Sequence, residues 1–243
     1  MTNINFLYGY PVEFKNLCMV YPPRVCDSFN KNFYLYSQIL TLSQEEIEDE
    51  YVEKELDISN LLTPFEYLLN TAYNDPTLKQ YIKDAFFLFT HEPVTFLCEQ
   101  KQIIIGDISE VESVEGLRIL KEEDYFEFQN LVREALGRKT IEPPNPNEDP
   151  RVKAIKAKAR YRDKIKAKKG QGLSLQATLS SICCMGIGIT PLNIGELSYA
   201  IIPVLMETYQ AKEKYELDTD CLLAGADAKK IKPKYWIRNF DNN

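Results

Sequence analysis

Residues 63–106 read Thr63-Pro-Phe-Glu-Tyr-Leu-Leu-Asn-Thr-Ala-Tyr-Asn-Asp75-Pro-Thr-Leu-Lys-Gln-Tyr-Ile-Lys-Asp-Ala85-Phe-Phe-Leu-Phe-Thr-His91-Glu-Pro-Val94-Thr-Phe-Leu-Cys98-Glu-Gln-Lys-Gln102-Ile-Ile-Ile-Gly106. Thr63 is an N-cap residue, Pro64 stands at the first helical position and Glu66 at the capping-box position, and Asp75-Pro76 repeats the first two signals. Two helices are expected to begin there, the second running to the aromatic cluster Ala85-Phe-Phe-Leu-Phe-Thr90, which predicts the centre of an N-terminal core. Val94–Cys98 and Gln102–Gly106 then flank the polar Glu99-Gln-Lys101, the pattern of a β-hairpin near 94–106. Capped helices followed by a hairpin predict a mainly α fold with a small β-hairpin element, α+β in class.

Upstream, Asn3–Phe14 alternates and is rich in aromatic residues, which predicts a short strand or hairpin around Gly9 and Pro11. After Tyr21-Pro-Pro, the residues Val25, Phe29, Phe33, Tyr36 and Leu40 recur at helical spacing and predict one amphipathic face turned to the core. Gln44–Asp57 is a dense acidic run, read as a solvated helix or loop. Downstream, Lys121–Leu136 closed by Gly137 predicts a helix that can bury Tyr125, Phe128, Leu131, Val132 and Leu136. Leu173–Met185 predicts a short apolar helix. Asn193-Ile-Gly-Glu196 has capping-box spacing and opens a long segment kinked or restarted at Pro203, with a helix stop at Gly225.

Charge divides the chain more sharply than its net −7 suggests. Residues 1–150 hold 12 basic and 27 acidic side chains, a net −15, whereas residues 151–243 hold 17 and 9, a net +8. Between the halves, Thr140–Pro150 carries four prolines in eleven residues, which excludes a helix or a central strand. The expected organisation is an acidic, mostly helical domain over 1–139, a Pro-rich linker over 140–150, and a linked helical C-terminal region over 151–243 that starts with a basic helix and ends in an aromatic tail.

Composition narrows the chemistry. His91 is the single histidine, so zinc sites with two or more histidines are excluded and any histidine-dependent catalysis would work through that one residue. The structural reading of His91 is a helix C-terminal residue favoured by the dipole. The six cysteines contain no CxxC spacing and are expected to be small apolar residues, with Cys183 and Cys184 on buried helix positions. There is no GxxxxGK[ST], and the only GxG, at Gly186–Gly188, lacks a third glycine, so a nucleotide cofactor is not expected, nor is any other cofactor or metal. No run approaches the roughly 18 to 20 apolar residues of a membrane span. Met1–Asn5 also lacks the basic start of a secretory signal, and a cytoplasmic location is the expectation.

The candidate binding residues lie in the basic half. Arg151, Lys153, Lys156, Lys158, Arg160, Arg162, Lys164 and Lys166 belong to a segment of ten basic residues opposed only by Asp163. Its large apolar residues, Val152, Ile155, Tyr161 and Ile165, are too few to bury a full helix face, so a mostly exposed helix is expected until a partner arrives. Three readings stay open for it: intramolecular or homotypic contacts, docking onto an acidic protein partner, and nucleic-acid binding through 151–169, which the near absence of stacking aromatics disfavours. Tyr235 and Trp236 in the tail either pack back on the C-terminal helices or anchor a partner.

A set of strings carries a family resemblance: Val20-Tyr-Pro-Pro23, Thr63-Pro-Phe-Glu66, Phe86–Val94 leading to Ile105-Gly-Asp107, Phe126-Glu-Phe-Gln129, Asp149-Pro-Arg151 with its Lys-rich helix, and Leu223–Ala226 leading to Lys234-Tyr-Trp236. In this order they resemble tail assembly proteins of phages infecting Gram-positive bacteria, and the C-terminal part looks like the second domain of tail assembly chaperones. The resemblance implies a non-enzymatic protein of the host cytoplasm that binds the tape measure protein and tail tube subunits during virion morphogenesis, with the acidic domain serving self-association or tape measure binding. A structural virion or connector component is the alternative. The hairpin departs from a purely helical chaperone.

Overall fold

The computed structural model describes residues 3–54, 61–107, 116–143, 151–152, 155–156, 158–160, 174–227 and 230–235. The protein is mainly helical with two small antiparallel sheets, the α+β class expected. In the N-terminal half the order is α1 (Ile4–Leu7), β1 (Val12–Phe14), β2 (Cys18–Val20), a 3-10 turn Val25–Phe29, α2 (Phe33–Thr41), α3 (Gln44–Glu53), α4 (Pro64–Asn74), α5 (Pro76–Thr90), β3 (Val94–Leu97), β4 (Gln102–Ile105), β5 (Arg118–Leu120) and α6 (Glu122–Ala135). After the basic segment come α7 (Leu175–Cys184), a 3-10 turn Ile194–Glu196 and α8 (Ile201–Leu223).

Local chemistry sets these boundaries. Thr63 caps α4 by accepting from the Glu66 N–H while Glu66 reaches back to the Thr63 N–H, and Ser43 with Glu46 does the same for α3. Asp75 closes α4 and opens α5, its carboxylate accepting from the N–H groups of Thr77 and Leu78. His91 ends α5 in the left-handed conformation at φ 58°, and its ring stacks on Tyr21 at 4.0 Å. The hairpin pairs Val94 with Ile105 and Leu97 with Gln102, and β5 extends it into a three-stranded sheet through Ile103 opposite Leu120.

Three expectations are corrected. Asn3–Tyr8 is not a strand: α1 is a single turn capped by Asn3, and the hairpin lies further on, its turn made by Lys15 and Asn16 with positive φ rather than by Gly9. Lys15 reaches Asp124 at 2.8 Å and Glu127 at 2.7 Å on α6, contacts that fix this turn. Val25 to Leu40 is not one helix, because the chain breaks between Phe29 and Phe33; Val25, Phe33, Tyr36 and Leu40 are buried but Phe29 is exposed. Asn193 does not cap a helix, since its side chain accepts from the Thr190 N–H and donates to the Gly188 carbonyl. Pro203 sits instead in the first turn of α8, where the missing N–H has no intrahelical role.

The core forms where α2, α4, α5 and α6 meet the two sheets. Phe86 and Phe128 stack at 5.5 Å and 10°, Phe14 meets Phe128 edge-on at 5.6 Å, and Phe65 packs on Tyr125. Residues 197–200 of the C-terminal region return to this core; residues 144–150 of the expected linker lie outside the described residues. Leu197 accepts from the Val25 N–H, the Tyr199 N–H reaches the Pro23 carbonyl at 2.8 Å, the Tyr199 ring packs on Phe33 and Ala200 is fully buried. A second cluster joins Val25 to Leu179, Ile182, Ile194 and Ile202. None of the described helices is long and apolar enough to cross a membrane.

Two predictions test this arrangement. Gly137 has φ 67°, and a Cβ there would stand 2.7 Å from the Ala200 carbonyl oxygen, so Gly137→Ala should lose more than about 1 kcal/mol in urea unfolding. The hydrogen bond from Lys101, with that from the Thr63 N–H, holds the Glu66 carboxyl below its ordinary 4.5. A lowered carboxylate pKa contributes stability that is present above about pH 4.5 and lost as pH falls through the folded value. The melting temperature of Glu66→Gln should therefore fall less between pH 6 and pH 3 than that of the parent protein.

Candidate functional site

The acidic run is not simply solvated. Glu45, Glu48 and Asp49 stand at i, i+3 and i+4 and so share one face of α3, while Ile47 on another face is fully buried. The Glu48 and Asp49 side chains are only 7% and 6% exposed, whereas Glu45 is 69% exposed. Into this face comes Arg160 of the basic segment, more than a hundred residues away in sequence. Its three guanidinium nitrogens separate: Nη2 donates to Glu48 at 2.7 Å, Nε to Asp49 at 3.2 Å and Nη1 to Glu45 at 3.4 Å. Burial works against the positive charge, but the hydrogen bond that Arg160 donates to Glu48 and the charges of Glu45 and Asp49 outweigh it and hold the pKa of Arg160 above its usual value.

Neighbouring contacts keep α3 in place. Glu50 accepts from the Tyr67 hydroxyl at 3.0 Å, and burial together with this carboxylate pushes the tyrosine pKa up to about 12. Gln44 donates to the Leu62 carbonyl. The acidic face is thus presented by a helix fixed to α4 rather than by a swinging arm.

The other sequence-chosen residues fall into three groups. Arg151, Lys156 and Lys158 are exposed, on residues 151–152, 155–156 and 158–160, which are helical as expected, and Val152 and Ile155 beside them are 42% and 68% exposed. Tyr235 is 61% exposed and meets Tyr215 of α8 edge-on at 5.6 Å, so this part of the tail lies back on the helix. Lys153, Arg162, Lys164, Lys166 and Trp236 lie outside the described residues. Sequence reasoning missed Glu45, Glu48 and Asp49 as partners. Their i, i+3, i+4 spacing was the available signal, but ten similar cations gave no means of choosing Arg160.

α8 offers a second surface. Of its 23 residues only Ile202 is buried, and Leu217 and Leu223 are 63% and 82% exposed. At about 1.5 Å per residue the helix is about 34 Å long, and its anchorage is at the N-terminal end, where Leu205 and Met206 pack on the second cluster.

The cysteines depart from expectation. Cys18 is buried, and burial pushes its thiol up to about 12, but Cys26 and Cys184 are exposed and Cys183 is half-buried. Position on a short amphipathic helix explains the pair: Ile182 takes the buried face and Cys184 falls away from it. Among the described residues no group of three or more His, Cys, Asp or Glu side chains is placed to hold a metal ion. Comparison of the chain with protein-family models, with curated proteins and with solved structures returns no match.

Arg160→Gln leaves two nearly buried carboxylates without the guanidinium. Breaking a fully buried pair costs about 3–5 kcal/mol, and with Arg160 itself a quarter exposed a loss of about 1–3 kcal/mol is expected in denaturant titration. Glu45→Gln, at an exposed position, should change stability by less than about 0.5 kcal/mol.

Proposed function

We propose that the protein is a non-enzymatic assembly adaptor that binds other proteins through its C-terminal region. The observation that carries this reading is α8, a 23-residue helix with one buried side chain and two largely exposed leucines. An isolated amphipathic helix gains most of its stability by burying a face, so a helix of this length with a single buried side chain and leucines left exposed is suited to a partner that covers them. Exposed leucines and Tyr235 at its far end are the residue types that fill a partner's groove.

The resemblance to tail assembly chaperones supplies the partners: the tape measure protein, whose long apolar helices need a soluble companion, and tail tube subunits. The charge division supports such a role, because a basic segment and an acidic domain on one chain can meet two partners of opposite character. Host cytoplasm is the compartment this role requires.

Co-expression with the tape measure protein of the same genome tests the proposal. A soluble complex should form on size-exclusion chromatography, and Leu217→Ser with Leu223→Ser should weaken it at least about tenfold while leaving the melting temperature within a few degrees. A tape measure protein that stays insoluble, or a complex indifferent to both leucines, would overturn it.

A further inference from the structure

The face of α3 that receives Arg160 has two properties that rarely combine in a permanent structural contact. Its carboxylates need a cation: Glu48 and Asp49 are almost shut off from water, stand one residue apart and share their face with Glu45. Like charges at these spacings destabilise a helix unless a shared counter-charge offsets them. The described residues of the segment that delivers the cation, however, are not held by apolar packing. Val152 and Ile155 are exposed, and Ala159 beside Arg160 is exposed as well. Charge holds this contact where the core elsewhere uses rings and aliphatic side chains, so salt weakens it and another set of carboxylates can compete for it.

We infer that Arg160 is an electrostatic latch: in the closed form α3 occupies the basic segment as an internal acidic ligand, and an acidic protein segment from a partner takes its place in the open form. The chemistry of that partner follows from what Arg160 already binds. A guanidinium that divides its three nitrogens among carboxylates at i, i+3 and i+4 fits an acidic helix, whereas a phosphate backbone presents its charges singly along an extended strand. The latch makes binding conditional. The segment's apparent affinity for any acidic partner is reduced by the fraction of molecules that are closed, and a signal that neutralises or moves α3 raises it. This regulation goes beyond the assembly role proposed above and holds for any acidic partner, whichever assembly proteins the chain serves.

Fluorescence anisotropy on the full chain provides the test, with labelled poly-L-glutamate of about 20 residues as the acidic probe and a single-stranded oligonucleotide of equal charge beside it. Neutralising the internal ligand with Glu45→Gln, Glu48→Gln and Asp49→Asn should tighten poly-L-glutamate binding about tenfold, the factor for a closed form holding about nine-tenths of the population. Adding Arg160→Gln should abolish the gain. Equal affinity in the parent and the neutralised protein overturns the latch, and a gain larger for the oligonucleotide than for poly-L-glutamate overturns the acidic-protein assignment. Should the neutralised variant fail to fold, amide hydrogen exchange of the parent chain gives the answer. Protection over residues 151–160 should fall between 50 mM and 500 mM NaCl while that of α5 stays constant, and salt-independent protection over 151–160 overturns the proposal.

Discussion

The contact between Phe86 of α5 and Phe128 of α6 is the constraint from which the rest of the fold follows. Both rings are fully buried and stack nearly parallel, so the two helices are held apart by ring thickness and ring tilt rather than meeting backbone to backbone. The space this leaves is filled from several directions. Phe14 arrives edge-on from the first hairpin, Tyr125 brings Phe65 of α4, and Phe96 reaches Phe86 from β3. Each ring contributes on the order of 1.5–3 kcal/mol by leaving water, and the offset and edge geometries add to that. Elements far apart in sequence are thereby tied to one point.

Polar groups then close what the rings cannot. The last carbonyls of α2 have no helical partners, and α6 supplies them: Arg133 donates to the Thr41 carbonyl and Gln129 to that of Leu42, while Arg138, just past α6, donates to the Thr41 hydroxyl. At the opposite end, Arg118 of β5 bonds both oxygens of Glu92 and also the Leu17 carbonyl, joining the three-stranded sheet to the α5–β3 junction and to the first hairpin. These side chains settle register more than they add stability. A net gain of about 1 kcal/mol per hydrogen bond is small beside the loss from leaving such carbonyls unsatisfied.

What could be read from the sequence is what local chemistry determines. Thr63, Asp75 and Gly137 mark their helix ends because cap geometry depends on residues within one turn, and the 94–106 hairpin is legible because its strands and loop are adjacent. β5 was not legible: Arg118-Ile-Leu120 is three residues long and becomes a strand only by pairing with β4. The first hairpin was misplaced because its turn uses Lys15 and Asn16, and Lys15 gains its warrant from Asp124 and Glu127, more than a hundred residues on. The return of Leu197–Ala200 to the N-terminal core was equally hidden. Small residues such as Ser198 and Ala200 carry no periodic signal, and what places them is a carbonyl of Phe6 and the open space at Gly137.

The candidate site shows the same division between composition and geometry. A net −15 facing +8 says that the halves attract, but pairs inside the acidic half, such as Lys54 with Glu50 or Lys15 with Glu127, form as well, and these are exposed and contribute little. Burial rather than the number of charges sets Arg160 apart. At the effective dielectric of a protein surface two unit charges 4 Å apart interact by about 4 kcal/mol, against about 1 kcal/mol in bulk water, so the least solvated carboxylates dominate. A lysine could meet one of them as a point charge, but only a planar guanidinium can send one nitrogen to each of Glu45, Glu48 and Asp49. The cations of the segment are interchangeable as charge, and the helical spacing of three carboxylates gives Arg160 a set of partners that charge alone does not assign.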